Sequence, residues 1–393
     1  MPSDTAPPLS SQFPFLTGDH QALADLVERF VRERVLPQAA QWEDSGFVPR
    51  EILGELGALG LLGLRVDPRW GGSGLDTLAS VVLAEALGRS TFGGFAITVL
   101  VHTDMASPHL INAGTDAQKD RYLPDLAAGR RIAAVAMTEA DAGSDLASMR
   151  TRAQRDGDGW RLDGSKLFIT NGVHGDVFFV AARTGGPDDG ARSHRISMFI
   201  VEKGTPGFTV ARPLAKHGWL SSDTAELLFR DCRLPAEALL GTEHQGFYAL
   251  VRNLQNERLV LAAQALGESA RAIELTLDWV AARRAFGATL WDKQAIRQRL
   301  AMLAARVAAA RALLYTTAWR DAQGQPAVAE ASMLKALCGT LVNDVMHDCL
   351  QFHGGSGYLR GVPIERMARD ARIHAIGGGA TEVMLDEVAK RMR

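Results

Sequence analysis

The sequence predicts an α+β protein that is mostly helical, with an N-terminal helical domain, a central antiparallel β-domain and a C-terminal four-helix bundle. Two changes in the hydrophobic pattern along the chain support this prediction. Apolar residues recur at helical spacing to about residue 129, and short β-branched and aromatic runs replace them from about Ile132. Helical spacing returns after Pro235. The predicted domains are 1–131, 132–238 and 239–393.

The first predicted domain contains the stretches ALADLVERFVRERVLPQAAQW and LASVVLAEALGRS, in which apolar residues repeat every three or four positions. Glycine or proline separates the helical segments. The N-terminal stretch MPSDTAPPLSSQFPF has neither a basic segment followed by an apolar core nor an Arg-rich amphipathic pattern. We therefore expect a short polar lead-in before the helices, and a cytoplasmic protein.

The β-domain is predicted from runs such as KLFITNG, DVFFVAAR, ISMFIVEKG and AELLFRDCRLP, which alternate with turn signals such as DGDG and TGGPDDGA. The following helices are long and alanine-rich, as in IRQRLAMLAARVAAARALLYTTAWR. Helices of this kind pack side by side, and this predicts the bundle.

Composition excludes several classes of function. The 43 basic and 45 acidic side chains nearly cancel, so no global field attracts nucleic acid or an anionic membrane. No uninterrupted apolar run is long enough to span a bilayer, and no His, Cys and carboxylate spacing resembles a metal site. Cys232, Cys338 and Cys349 form no C-x-x-C pair and are expected to be buried thiols in a reducing compartment.

The segment AVAMTEADAGSDLAS, Ala134–Ser148, joins the helical and β segments and concentrates hydroxyl groups and backbone donors in a turn. Such a turn can hold a phosphate or the polar edge of a ring. Local chemistry alone favours the alternative, a connecting loop capped by Asp and Ser. No G-x-G-x-x-G follows a strand and no G-K-[ST] is present, so neither a Rossmann nor a P-loop site is predicted.

Five motifs then appear in order: AMTEADAGSD, KLFITNG, ARRAFG, QFHGGSGY and RDARIHAIGGGATEVM. Together they resemble the FAD-dependent acyl-CoA dehydrogenase family over nearly the whole chain. The resemblance implies a homotetramer that binds FAD and oxidises an acyl-CoA thioester to its 2,3-enoyl-CoA. It also implies electron transfer to an electron-transferring flavoprotein.

The resemblance further implies which residues of the first two motifs meet FAD. Thr138 is expected to bond the pyrimidine edge of the flavin, with Met137 and Gly143 beside it, and Ser144 to lie near the pyrophosphate or the substrate's pantetheine arm. Phe168 takes the place of a tryptophan found in many relatives beside the flavin ring. This change keeps an aromatic wall but removes an N–H donor. Thr170 is expected to approach the flavin N5 region.

In the family one subunit completes the FAD site of its neighbour. The resemblance therefore implies that Arg283 and Phe286 act across a subunit interface on the pyrophosphate and the ring of FAD. Gln351, Gly354 and Gly355 are expected to meet the dinucleotide in the same way, so that monomers cannot retain FAD. The further residues expected at the cofactor are Gln294, Thr381 and Glu382. Ala380 stands where relatives carry a threonine, which places that FAD contact in doubt.

The chemistry requires a base for the α proton, and a carboxylate in an apolar pocket is suited to this role. Many relatives place a Glu where this chain has Gly378, whereas isovaleryl-CoA and long-chain acyl-CoA dehydrogenases carry it in an E-R pair on a distant helix. Glu257 and Arg258 reproduce that pair. Glu257 also lies on a helical stripe with Leu250, Leu254, Leu261 and Ala265, where an unpaired carboxylate is costly.

We therefore predict that Glu257 is the catalytic base, against the alternative of an internal ion pair with Arg252 or Arg258. The glycines are expected to leave room at the flavin and substrate face. By resemblance, the Gly378 N–H donates to the thioester oxygen together with a ribityl hydroxyl of the flavin. Arg258 is expected to orient substrate or tune the base.

The rival acid–base groups have other expected roles. Glu139 is expected to support the loop, Glu382 to lie near the dinucleotide, and His353 and His374 to be polar residues near the cofactor. Two other functions remain open at this point: a flavin-dependent monooxygenase on the same fold, and a non-catalytic acyl-CoA-binding scaffold. Phe95–Val101 is expected to line the acyl pocket, although the sequence gives neither acyl chain length nor branching.

Overall fold

The structure is a computed structural model and describes residues 9–185, 191 and 195–392. Most of the turn predicted at 184–191 and the first eight residues of the predicted lead-in lie outside this range. Helices make up 56% of the protein, and a mixed sheet is formed by the central part of the chain, which confirms the predicted fold class.

The helices follow the predicted blocks. A π-helical turn, Val31–Val35, follows α2 and a second, Val101–Ala106, follows α6. In chain order the α-helices are α1 (Leu9–Gln12), α2 (Gly18–Phe30), α3 (Ala39–Ser45), α4 (Arg50–Ala58), α5 (Thr77–Gly88), α6 (Gly93–Leu100), α7 (Ser107–Ala113), α8 (Asp116–Ala127), α9 (Gly246–Ala282), α10 (Gln294–Ala322), α11 (Val328–His353), α12 (Pro363–Ala371) and α13 (Thr381–Ala389).

The strands form one large sheet in the order β6-β7-β3-β2-β4-β5-β8, with β1 paired to β4, and a separate hairpin of β9 and β10. Their bounds are β1 (Ala133–Ala136), β2 (Arg152–Asp156), β3 (Gly159–Thr170), β4 (Val177–Arg183), β5 (Ile196–Glu202), β6 (Phe208–Pro213), β7 (Thr224–Leu234), β8 (Leu239–Leu240), β9 (Arg284–Ala285) and β10 (Ala288–Thr289).

The large sheet is mixed, which corrects the prediction of a purely antiparallel domain. Strand β1 pairs in parallel with β4, with Ala133 opposite Val177, and β2 meets β4 in parallel where Arg152 lies opposite Arg183. The turn signals in the sequence report only hairpins. The β1–β4 pair is instead joined through β2 and β3, and a connection of that length permits parallel pairing.

Strand β4 is buried on both of its faces. Phe179 packs in one apolar cluster with Leu123 and Met198, whereas its neighbour Phe178 packs in a second cluster with Trp160 and Phe229. Because successive side chains of a strand point to opposite faces, the sheet separates two cores. This explains why DVFFVAAR is a continuous apolar run instead of an alternating one.

The described residues form two compact units. One, here called the helical unit, contains the residues up to Ala40, Asp76–Ala96 and the chain from Arg258 onward. The other, here called the mixed unit, contains Gln41–Leu75 and Ile97–Glu257. The predicted division into three domains differs from this grouping by spatial contacts and stays a prediction.

In the helical unit, glycines allow α5 and α9 to touch backbone to backbone. A Cβ atom added at Gly88 would lie 2.3 Å from the carbonyl oxygen of Gln264, and one added at Gly267 would lie 2.1 Å from that of Glu85. Any side chain at either position would force the helices apart. These two contacts fix the position of α9 relative to α5.

Helix α10 is the one described helix that is long and apolar enough, by length and composition alone, to cross a membrane. Two of its cationic side chains are nevertheless paired with acids of the helical unit: Arg299 with Asp348 on α11, and Arg311 with Glu85 on α5. Leu303 and Leu314 are fully buried in the same unit. In the apolar window of α10, 39% of the residues are buried inside the protein.

The carboxylate of Glu85 joins α5 to α10. Its side chain is 4% exposed and accepts hydrogen bonds from the Arg311 guanidinium, with 2.6 Å between Nε and Oε1, and from the Tyr315 hydroxyl at 2.7 Å. Burial and the adjacent carboxylate raise the pKa of Tyr315 well above its ordinary value. The hydroxyl therefore remains a donor to Glu85.

We predict that Glu85→Ala lowers the free energy of unfolding by about 3 kcal/mol, because it leaves a buried guanidinium and hydroxyl without their acceptor. Glu85→Gln is expected to lose less, since its amide oxygen still accepts. Urea denaturation followed by circular dichroism measures both. Glu33→Ala, in an exposed ion pair with Arg32, is the control and is expected to leave the midpoint unchanged. A Glu85→Ala midpoint equal to that of the control would contradict the prediction.

Candidate active site

The loop that follows β1 is anchored by a buried ion pair. Lys166 of β3 is fully buried, and its ammonium donates to the Met137 carbonyl at 2.9 Å and to Glu139 Oε1 at 2.7 Å. The Glu139 carboxylate also accepts from the backbone N–H groups of Arg150 at 2.6 Å and Thr151 at 3.0 Å. Both ends of the loop are thus attached to one strand.

The electrostatics of this pair keep Glu139 ionised. Burial alone would raise the pKa of Glu139, but the Lys166 ammonium and the hydrogen bonds outweigh it and the pKa lies below its usual value. Burial lowers the pKa of Lys166 to about 8 in spite of the adjacent carboxylate. Glu139 therefore supports the loop, as expected from the sequence, and its oxygens are already engaged.

The hydroxyl of Thr138 donates to the carbonyl of Leu167, and the Thr138 carbonyl accepts from the Leu167 N–H at 2.9 Å. Its hydroxyl oxygen can still accept a hydrogen bond, which suits a ring N–H as partner. Gly143 and Ser144 are exposed further along the same loop. A Cβ at Gly143 would meet nothing within 4 Å, so this part of the loop is open.

Phe168 occupies a strained and exposed position that the sequence did not reveal. Its φ is +64° and its side chain is 65% exposed, at a shift in the β3–β7 register between Lys166 and Ile169. A bulge of this kind redirects a side chain, and strain in a non-glycine residue marks functional sites. The ring stands out beside Thr170, which fits the face of a planar cofactor.

Glu257 lies in the first turns of α9, as predicted, and is only 4% exposed. Leu250, Leu261 and Ala265 of the predicted stripe are also buried, whereas Leu254 is half-buried. The carboxylate Oε1 accepts a hydrogen bond from Asn253 Nδ2 at 2.9 Å. The helical prediction for this segment is therefore confirmed, and a partner that the sequence did not predict is identified.

In the helical unit, the glycine loop before α13 is held by Lys335 of α11. The ammonium donates to the carbonyls of His374 at 2.7 Å and Gly379 at 2.9 Å, and the residue is 1% exposed. Burial, with Arg258 nearby, lowers the pKa of Lys335 to about 8. Gly378 and Gly379 have φ values of +69° and +108°, which only glycine adopts at low cost.

The expectation that all three glycines leave open space needs correction. A Cβ at Gly377 would make only ordinary contact with Ile373, but one at Gly378 would lie 2.3 Å from Leu261 Cδ1. One at Gly379 would lie 2.6 Å from the Met384 methyl group. Side chains of the same unit therefore fill the space beside Gly378 and Gly379, because packing brings α9 and α13 against the loop.

The two histidines are engaged within the helical unit. His374 is 2% exposed, and its Nε2 lies 3.0 Å from Glu268 Oε2 on α9. His353 stacks on Trp279 with ring centroids 4.9 Å apart, and burial lowers the pKa of His353. Arg258 donates to the Ser332 hydroxyl at 3.1 Å. These contacts favour supporting roles over acid–base work by either histidine.

A concave region of the helical unit brings together ARRAFG and QFHGG. It encloses about 250 Å³ and is lined by Trp279, Arg283, His353, Gly354 and Gly355, among others. Gly354 has φ +58° and ψ −141°, and a Cβ at Gly354 or Gly355 would meet nothing within 4 Å. A cation beside bare backbone fits the pyrophosphate predicted there.

The other predicted cofactor residues lie on the surface of the helical unit. Phe286 is 97% exposed with a φ of +53°, so its ring has no partner within the described chain that would bury it. Ala380 is the N-cap of α13 and provides no side-chain cap, while the Thr381 hydroxyl donates to the Ala375 carbonyl at 3.4 Å. Exposed positions are also found for Gln294, Gln351 and Glu382.

Sequence reasoning missed Lys166, Lys335 and Asn253. A signal existed for Lys335, which interrupts an apolar stripe of α11 formed by Ala331, Cys338 and Val342. No comparable pattern marks the other two. Over residues 9–185, 191 and 195–392, no group of three or more His, Cys, Asp or Glu side chains could hold a metal ion.

Three domains of one known protein family match successive parts of the chain. Family models match in order: "Acyl-CoA dehydrogenase, N-terminal domain" over residues 17–130, "middle domain" over 134–232 and "C-terminal domain" over 244–393.

The relatives cover nearly the whole chain. The long-chain specific acyl-CoA dehydrogenase of Sus scrofa is 40% identical over 96% of this chain and 87% of its own. The isovaleryl-CoA dehydrogenase of Pongo abelii is 35% identical over 94% and 87%. The solved structure of butyryl-CoA dehydrogenase from Megasphaera elsdenii is 33% identical, with a TM-score of 0.92 over 96% of this chain and 98% of that one.

Lys335 provides a test of the glycine loop. Since its pKa is about 8 in the folded protein against 10.5 for an ordinary lysine, the folded protein releases this proton first. Raising the pH from 8 to 10.5 should therefore stabilise the wild type relative to Lys335→Met, and this advantage should be lost as the pH falls through about 8. Urea denaturation at pH 7 and 9.5 measures the difference.

The matched control for this prediction is Asn343→Leu. Asn343 lies on the same helix and donates to the carbonyls of Gly339 at 2.7 Å and Ala371 at 3.1 Å, but it does not titrate. Its loss should destabilise the protein equally at both pH values. A pH-independent deficit in Lys335→Met as well would contradict the prediction.

Proposed function

Because this chain belongs to the acyl-CoA dehydrogenase family, we propose that it oxidises an acyl-CoA thioester to the trans-2-enoyl-CoA. It is an oxidoreductase that uses FAD. When bound, FAD accepts the β hydrogen of the substrate with two electrons as a hydride. The protein's own groups must remove the α proton, polarise the carbonyl and hold both molecules.

The observation that carries this proposal is the buried carboxylate of Glu257 combined with a glycine at 378. Burial of a carboxylate in apolar surroundings favours its protonated form, and this increases its strength as a base. Glu257 would take the α proton of the thioester onto a carboxylate oxygen as the α,β double bond forms. The proton taken from the α carbon and the hydride that leaves the β carbon together account for the two hydrogens removed from the substrate.

An α proton next to a thioester is too weakly acidic to be removed unless the carbonyl oxygen is stabilised as charge develops on it. We propose the Gly378 N–H as a donor to this oxygen. The left-handed backbone of Gly378 and the bonds from Lys335 to His374 and Gly379 keep that N–H in a fixed direction. Preorganised donors of this kind contribute more than mobile ones.

For the cofactor, the proposed contacts are those of Met137, Thr138, Gly143, Ser144, Phe168 and Thr170 in the mixed unit. In the helical unit they are those of Gln294, Gln351, Gly354, Gly355, Thr381 and Glu382. Of these, Gln351, Gly354 and Gly355 are proposed to serve the FAD of a neighbouring subunit in a homotetramer, together with Arg283 and Phe286. An exposed cation and a fully exposed aromatic ring in one short hairpin are consistent with an interface.

The electron acceptor proposed is an electron-transferring flavoprotein, and the proposed location is the cytoplasm. Phe95–Val101, proposed to line the acyl pocket, is buried throughout. Its residues are apolar apart from Thr98, which suits a hydrocarbon tail. Ser144 and Arg258 are proposed to contact the substrate.

The first test uses Glu257→Gln, which keeps the size of the side chain and removes the base. We expect it to bind FAD and acyl-CoA normally but to reduce the flavin at least about 100-fold more slowly, the usual contribution of a general base. Anaerobic stopped-flow absorbance of the bound flavin with short, branched, medium and long acyl-CoAs measures the rate.

Glu139→Gln is not a suitable control because it breaks the loop anchor, so Glu33→Gln, at an exposed carboxylate outside the proposed site, is compared instead. Bleaching of Glu257→Gln at the wild-type rate would remove Glu257 from the mechanism. A wild-type protein that binds FAD and the acyl-CoAs but never bleaches would favour the monooxygenase or the scaffold, and rapid oxygen reaction with hydroxylation would identify the former.

The proposed role of Arg283 can be tested by comparing its substitution with the same substitution at the adjacent Arg284. Arg283→Met should weaken FAD retention at least about 10-fold, since a charge-assisted bond to phosphate is lost. Arg284→Met is the control, because the Arg284 guanidinium donates to the Gly287 carbonyl within the hairpin. Flavin content after gel filtration and FAD titration of the apoprotein measure both variants. Equal retention by the two variants would contradict the assignment.

A further inference from the structure

Asn253 lies one helical turn before Glu257 on α9 and is 4% exposed. Its amide nitrogen lies 2.9 Å from Glu257 Oε1, 3.0 Å from the carbonyl oxygen of Asp104 and 3.3 Å from that of Met105. The two carbonyls belong to the π-helical turn Val101–Ala106. Turns of this type recur at functional sites.

The three acceptors determine how the amide is oriented. An Asn side chain has two N–H hydrogens, and its oxygen would repel acceptors if the amide were reversed. One hydrogen is therefore shared between the carbonyls of Asp104 and Met105, and the other points to Glu257. The π-helical turn thus fixes the direction from which Asn253 donates to the carboxylate.

Asn256 provides an internal comparison. It is 7% exposed and donates to the same Asp104 carbonyl at 3.0 Å, and its own oxygen accepts from Arg65 Nη1 at 2.6 Å. Its described hydrogen bonds therefore go to Asp104 and Arg65. The two amides share an anchor, but only Asn253 extends the network to Glu257.

We infer that Asn253 is a positioning residue, whose anchored amide holds the Glu257 carboxylate in one rotamer and in its ionised, proton-accepting form. This inference rests on the proposed role of Glu257 as the base. A hydrogen bond donated to a carboxylate stabilises the charged form. Asn253 thereby limits the rise in basicity that burial produces and keeps the base ionised at lower pH.

Other titratable groups lie on the two elements that meet at Asn253. Asp104, on the π-helical turn, accepts from the Thr103 hydroxyl at 2.7 Å, and Arg65 reaches the same turn through Asn256. Arg252 and Arg258 flank the site along α9 itself. His102 on the π-helical turn is neutral above about pH 4, because burial lowers its pKa to about 4. These groups are unchanged when Asn253 alone is replaced.

The test is the pH dependence of flavin reduction by a saturating acyl-CoA in the FAD-replete enzyme. Asn253→Ala keeps a good helix former but removes the donor, so the midpoint of the acid limb should move upward by about one pH unit. Asn253→Asp places a second carboxylate beside Glu257 and should move it at least as far. Asn256→Ala should leave the midpoint at the wild-type value.

A purely structural role for Asn253 would lower thermal stability or the maximal rate without moving the midpoint, and that result would overturn the inference. An equal shift in Asn256→Ala would do the same, since it would assign the effect to the shared anchor. If Asn253→Ala fails to fold, Asn253→Asp decides by the same readout. A wild type without flavin reduction would instead refute the proposed function, which separates the two failures.

Discussion

Irregular backbone lacks the regular hydrogen bonds of a helix or sheet, so its carbonyl groups need other donors, and the candidate site depends on how this protein meets that constraint. Three buried side chains, Lys166, Lys335 and Asn253, supply the donors. Each extends from a regular strand or helix and donates to carbonyls of a segment that is not regular. Those segments are the loop after β1, the glycine loop before α13 and the π-helical turn after α6.

Burial of the Lys166 and Lys335 ammonium groups costs free energy. An ammonium without water is unfavourable, and burial lowers the pKa of each to about 8. Lys166 is compensated by the Glu139 carboxylate, whereas the described bonds of Lys335 go to backbone carbonyls alone. A donor mounted on a packed helix or strand moves little, so the loop that it binds is held as rigidly as the element that carries it.

The sequence was sufficient for the fold class and for the burial of Glu257 on a helix, because both follow from periodicity: a carboxylate at a buried helical position is visible as an exception to the pattern. It was insufficient where structure depends on pairing over long distances. The parallel contact of β1 with β4 and the bulge that turns Phe168 outward arise from sheet register, which turn signals do not encode. Asn253 was missed because an asparagine on a helix has no such periodic signature, and its acceptors lie far away in the sequence.

Packing also explains why residue 378 is a glycine. Leu261 fills the space beside its Cα, and Leu261 follows Glu257 by one helical turn on the same stripe of α9. One helix face therefore carries both the carboxylate and the apolar group that excludes a larger residue at 378. A glutamate at 378 would require Leu261 to move and a left-handed backbone to accept a side chain, which costs on the order of 1 kcal/mol or more. Packing, as well as chemistry, thus disfavours the alternative position of the base in this chain.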